Sequence, residues 1–366
     1  MPQAARTDRD AAGVCSSVRV SAPGKLILMG EHAAVYGAPA LVTAIGLRLE
    51  TRLERTGDAG VELDLPAIGQ REHLSALEIE SYGRAQRQAW EAYAANPGPD
   101  TFAGLHDGAP TRLARVAMGE CAGLLGDLDG LRLCVTSDLP LGAGFGSSAA
   151  AAVGIVAAAV ALMGGTPRWS QVGELAAQVE RRQHGFPSGV DAATVFHGGV
   201  LSARRAADEL EFEPLRVRPD LLREIRVANT GAPAESTGEV VAAVAARRED
   251  SPATFAATLA TMREATARFR GLITAQDSAS ADLIEPVRAY QRCLESIGVV
   301  PAAVRELVRE IEGKGGAAKL SGAGASSGTC AGCLLVISPR ESELPGGLDE
   351  IDASLAAEGV RVEAAA

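Results

Sequence analysis

A chain of 366 residues exceeds what one ordinary hydrophobic core organises, so two packed units or one elaborated unit, either able to enclose a cleft, are expected. A composition of 47% hydrophobic and 22% charged residues excludes a disordered polymer. The net charge of −11, from 35 basic and 46 acidic residues, argues against nucleic acid or an anionic membrane as partner, so any phosphate must be gripped by a local device.

Residues before Val18 lack an apolar core and read as a frayed terminus. Alternating β-branched residues predict strands over 17–22, 25–29 and 40–45. A helical pattern over 74–95 stops at the turn formers Asn96, Pro97, Gly98 and Pro99, and a second helix is expected over 110–125. A strand at 131–136, a glycine loop and an alanine-rich helix at 147–163 follow; the apolar run 149–163 is shorter than the roughly 18 residues of a membrane span. Next come a helix over 170–182 and two strands over 193–202 and 210–217. A shift from alanine and glycine to arginine and glutamate marks a boundary near 205–225, giving units 1–215 and 216–366. The second unit reads as a strand at 225–229, several helices, a strand at 317–321, a glycine loop and a strand at 332–337. The six cysteines, Cys15, Cys121, Cys134, Cys293, Cys330 and Cys333, are scattered and read as free thiols of a cytoplasmic protein. Cys330 and Cys333 form a C-x-x-C with no second ligand pair, so they read as small buried residues rather than a metal site.

Three segments concentrate chemistry. In DLPLGAGFGSSAA (138–150), Gly142, Gly144 and Gly146 alternate between a strand and a helix, letting backbone N–H groups turn toward a ligand at a positive dipole end. Ser147 and Ser148 can cap that helix or place a hydroxyl on a phosphate or Mg²⁺. It is neither a Walker A loop, since Gly24 and Lys25 are followed by Leu26, nor the G-x-G-x-x-G of dinucleotide folds. In SAPGKLILMGEHAAVYG (21–37), Lys25, Glu31 and His32 crowd into an apolar run where buried charge has to be paired or used; a satisfied core histidine is the alternative for His32. In ERRQHGFPSGVDAA (180–193), Pro187 and Gly189 force a turn that delivers Asp191 toward Glu180, with a turn or N-cap role as the alternative for Asp191.

In this order and spacing the segments resemble the GHMP kinases, the superfamily of galactokinase and of homoserine, mevalonate and phosphomevalonate kinases. Residues 22–37 and 184–191 look most like its mevalonate kinase branch. The resemblance implies a two-domain α/β (α+β) fold, with an N-terminal domain like ribosomal protein S5 domain 2 and a ferredoxin-like C-terminal domain. It implies ATP and Mg²⁺ as cofactors and phosphorylation of mevalonate to 5-phosphomevalonate in isoprenoid biosynthesis. Carried over by position, Asp191 and Lys25 flank the acceptor hydroxyl, and Ser148 and Glu180 hold Mg²⁺. The backbone of Gly142, Ala143, Gly144, Phe145, Gly146, Ser147 and Ser148 wraps the phosphates, with Glu31 orienting that end. His32, Thr237, Gly322 and Ala323 hold substrate. The protein is then expected as a monomer or homodimer.

A further motif, KLSGAGASSGTCAGC (319–333), departs from the family's tight glycine run because Ala325, Ser326 and Ser327 interrupt it, predicting a longer loop. That departure leaves open another acceptor (phosphomevalonate, homoserine or a sugar) or a non-catalytic ligand-binding paralogue.

Overall fold

The computed structural model describes residues 16–206, 209–339 and 342–363; the terminus before Ser16, with Cys15, lies outside them. The chain opens with β1 (Ser17–Met29) and β2 (Ala40–Arg55), then the hairpin β3 (Val61–Leu65) and β4 (Gln70–Leu74). Helices α1 (Ala76–Ala95), α2 (Pro99–Ala103) and α3 (Arg112–Leu125) lead to β5 (Leu131–Ser137), α4 (Ser147–Leu162), α5 (Trp169–His184) and α6 (Val190–His197). After β6 (Val200–Ala206) and β7 (Glu209–Leu215) come α7 (Pro219–Arg223), β8 (Ile225–Asn229), α8 (Thr237–Asp250), α9 (Pro252–Thr274), α10 (Ile284–Ser296) and α11 (Ala302–Gly313). Strands β9 (Ala317–Ser321), β10 (Cys333–Ile337), β11 (Asp349–Ile351) and β12 (Arg361–Glu363) close the chain.

Two sheets result. The first runs β12-β1-β2-β5-β3-β4, with β6 and β7 branching from β2; the second is the antiparallel β11-β8-β10-β9. Along the edge away from β1, strand β2 serves two further partners, β6 at residues 40–43 and β5 at residues 49–55. The alanines of α4 let it sit flush on β1 and β2: a Cβ on Gly154 would come within 2.7 Å of Thr51 Oγ1. Helices α3 and α5 cover its other side, so α4 is buried around its whole circumference rather than along one stripe. Helices α10 and α11 cover the second sheet, and α9 packs on α10.

One expectation is corrected. Residues 193–197, read as strand, continue α6, and β6 begins only at Val200. The β-branched Thr194 and Val195 suggest a strand, but Gly189 (φ 79°) opens a helix, Thr194 Oγ1 donates 2.8 Å back to Val190 O, and the apolar side chains pack inward. The β3–β4 hairpin and the three-residue strands β11 and β12 were absent from the sequence reading.

Candidate active site

Strand β1 breaks register with β2 at Pro23/Gly24 and again at Ile27/Met29, and Lys25 lies between the two irregularities. Bulges of this kind re-aim side chains. Lys25 N donates 2.9 Å to Phe145 O, tying the strand to the glycine loop. Gly146 must lack a side chain here, because at φ 77° its Cβ would stand 2.5 Å from Lys25 Cγ. The loop is thus moulded against the lysine, and Gly142 and Gly144 share its left-handed backbone. Among the described residues no side chain caps the start of α4, so its first N–H groups stay available to an anion.

The Lys25 ammonium, 7% exposed, pairs with Asp191 Oδ2 at 3.0 Å, whereas the Asp191 side chain is 36% exposed. A buried cation therefore meets a carboxylate with an open face. Asp191 sits in the first turn of α6, delivered by Gly189 as the spacing predicted. Glu180, one turn from the end of α5, is buried and accepts 2.9 Å from Ser148 Oγ. Burial, then the nearby Asp191 charge, raises its pKa to about 7, opposed by the Ser148 hydrogen bond and Lys25. His184 Nε2 lies 3.1 Å from the same Ser148 hydroxyl. The sequence reading gave His184 no role, although its place four residues after Glu180 puts both on one helix face.

Ser148 and Glu180 supply one hydroxyl and one carboxylate, the nearby Lys25 pairs with Asp191 instead, and among the described residues no group of three acidic, His or Cys side chains forms a metal cage. This set fits Mg²⁺ arriving with a nucleotide, because that ion usually takes one or two carboxylates and fills its remaining positions with phosphate oxygens and water.

Glu31 and His32 are both buried. Glu31 pairs with the buried Lys319 ammonium; burial pushes its pKa up while Lys319 opposes the shift. His32, held at φ 58°, places Nε2 2.9 Å from Ala323 O, which brings the second segment onto the third glycine motif. That motif also meets the phosphate loop: a Cβ on Gly144 would lie 3.4 Å from Ser321 O, and one on Gly332 3.1 Å from Ala143 O. Gly322 (φ 115°) faces open space. The Ala325–Ser327 interruption of that motif is anchored by Glu235, whose Oε2 accepts from Ser326 N at 2.6 Å and Ser327 N at 3.2 Å. Thr237, exposed at the start of α8, lies two residues on, and Ala232 of the same connection approaches Gly142. Lys25, Asp191, Ser148, Glu180 and the glycine loop thus form one cluster, Ala323 of the second sheet meets His32 just beyond β1, and Glu31 lies enclosed beside His32.

A family profile described as the GHMP kinases N terminal domain matches residues 111–199. The chain is 30% identical to a mevalonate kinase of Thermococcus gammatolerans, over 94% of this chain and 98% of the relative. It is also 30% identical to the mevalonate kinase of Homo sapiens, over 94% and 95%. Among solved structures, a crystal structure of a mevalonate kinase superposes with a TM-score of 0.72 at 19% identity, over 93% of this chain and 99% of that one, and shows the same fold.

Proposed function

Since the chain belongs to the mevalonate kinase family of the GHMP kinases, we propose that it transfers the γ-phosphoryl group of ATP to the primary hydroxyl of mevalonate, yielding 5-phosphomevalonate and ADP. The observation that carries this reading is the 3.0 Å Lys25–Asp191 pair packed against the glycine loop.

In that reading the backbone of 142–148 and the start of α4 hold the triphosphate. His32, Thr237, Gly322 and Ala323 line the acceptor side. Glu31 contributes through the backbone that it anchors. Phosphoryl transfer is in line and loose, so positioning and charge stabilisation do most of the work. The acceptor oxygen bonds to the γ-phosphorus as the bond to the β,γ-bridging oxygen breaks. Asp191 accepts the hydroxyl proton on its open face. Lys25 offsets charge building on the alkoxide and the transferring group. Ser148 and Glu180 would hold Mg²⁺, which supplies charge neutralisation on the phosphates.

The membership of the strands in two sheets supports an N-terminal domain of residues 1–215 and a C-terminal domain of 216–366, with β12 returned to the first sheet. We read the enzyme as cytoplasmic, a monomer or homodimer acting on a small molecule rather than on nucleic acid or membranes. The unpaired thiols and the absence, among the described residues, of any helix long and apolar enough to cross a membrane support this.

The test is product identification by ³¹P NMR after incubation with ATP, Mg²⁺ and R-mevalonate. A new phosphomonoester on the C5 oxygen is expected. Much faster phosphorylation of another alcohol would overturn the acceptor assignment and leave the kinase reading in place; binding of ATP without turnover of any acceptor would favour a paralogue that only binds.

A further inference from the structure

Residues 319, 321 and 323 succeed one another at the two-residue repeat of a strand and its continuation, and all three engage the stretch 27–32 just beyond Lys25. The Lys319 ammonium has no exposed surface; it pairs with Glu31, lies 3.5 Å from Ile27 O, and stands 5.6 Å from the centre of the Tyr290 ring. Ser321 Oγ accepts from Ile27 N and donates to Ile27 O, both at 3.0 Å. That contact falls where the β1–β2 ladder slips register. His32 closes on Ala323 O, and the Tyr290 hydroxyl donates 2.8 Å to Glu31 O.

As a stability device this arrangement is poor. Burying two charges costs about what their attraction returns, and Glu31 Oε2 has no hydrogen-bond partner among the described residues. What it does achieve is geometric. Side chains of β9, in the second sheet, hold a bulged backbone that the first sheet alone leaves underdetermined, and that backbone carries the lysine of the reaction.

We propose that Lys319 and Ser321 are positioning residues for phosphoryl transfer, acting through Ile27, Glu31 and His32 to fix Lys25 against Asp191. This rests on the kinase reading above. Neither residue needs to touch ATP or the acceptor, so their loss should reach kcat before it reaches nucleotide binding.

Ser321→Ala, Ser321→Thr and the double variant Glu31→Gln/Lys319→Met test the idea. Misplacement of a reacting group by about 1 Å can cost on the order of a hundredfold, so Ser321→Ala should lower kcat by about tenfold or more with the KM for ATP within about twofold. Ser321→Thr, which keeps the hydroxyl, should restore it. The double variant, with no stranded charge, should unfold near the wild-type temperature yet keep a kcat reduced by about tenfold. Wild-type turnover in Ser321→Ala, or activity in the double variant that returns together with its stability, overturns the proposal. Amide hydrogen exchange over residues 25–37 provides a readout independent of turnover: faster exchange is expected in Ser321→Ala and in the double variant, and unchanged exchange overturns the proposal. Failure of the wild type to phosphorylate mevalonate would instead strike the function assigned above, leaving the exchange measurement to decide this one.

Discussion

Asp191 and Glu180 are both carboxylates beside Lys25, and their surroundings divide the labour between them. Asp191 has an open face and a direct ammonium partner, as a proton acceptor requires, so Asp191→Asn should leave ATP binding nearly intact and lower turnover by about a hundredfold or more; steady-state kinetics paired with nucleotide titration checks this. Glu180 is enclosed, with a pKa of about 7 in the folded chain against an ordinary 4.5. A raised folded pKa means that the folded state binds the extra proton, so its stabilisation is full below about pH 4.5 and is lost as pH climbs through 7, a change of roughly 3 kcal/mol. In EDTA and without nucleotide, the unfolding temperature of the wild type should therefore fall between about pH 5 and pH 8, and Glu180→Gln should flatten that slope. A slope unchanged by the substitution would mean that Glu180 ionises without penalty.

The elements that deliver these side chains differ in how plainly the sequence announces them. Gly142, Gly144 and Gly146 sit where turn chemistry leaves few alternatives, so the loop and the start of α4 were legible. Gly146→Ala should abolish turnover, because φ 77° and the 2.5 Å approach to Lys25 penalise any Cβ; an enzyme assay on the folded variant checks it. The second half of α6, residues 193–197, defeats the strand expectation because Thr194 and Val195 favour strands and only tertiary packing overrides them. The β3–β4 hairpin escaped because β4 (Gln70–Leu74) lies at the sheet edge, polar and largely uncovered. The interrupted third motif was visible as a departure, but its anchor was not, since Glu235 lies about ninety positions away and reaches the amides of Ser326 and Ser327 only after folding. Glu235→Ala should speed amide exchange at 326–327 and lower Tm by no more than a few degrees, the loss of two charge-assisted hydrogen bonds at a loop. Exchange no faster than wild type would assign that loop's order to its other contacts.

Across the whole molecule, pairings distant in sequence were the least legible: Glu31 with Lys319, His32 with Ala323, and β1 with β12. Chain length and composition predict two units, but nothing local indicates that the last strand returns to the first sheet. Arg48 marks that return. Its guanidinium donates to Ser21 O and to the carbonyls of Glu358 and Gly359, stitching β2, β1 and the approach to β12. Arg48→Met should destabilise the protein by about 1–3 kcal/mol in denaturant unfolding, with the KM for ATP unchanged, because three carbonyls lose their side-chain donor while Arg48 O can still accept from Asp138 N at the start of the glycine segment. Because β12 pairs with Arg19, Val20 and Ser21, a few residues upstream of Lys25, the edge of β1 stays unsealed until residues 361–363 have been made. A chain cut short before residue 361 would carry Lys25, Ser148, Glu180 and Asp191 and still expose a raw strand edge beside them, fit for proteases and chaperones.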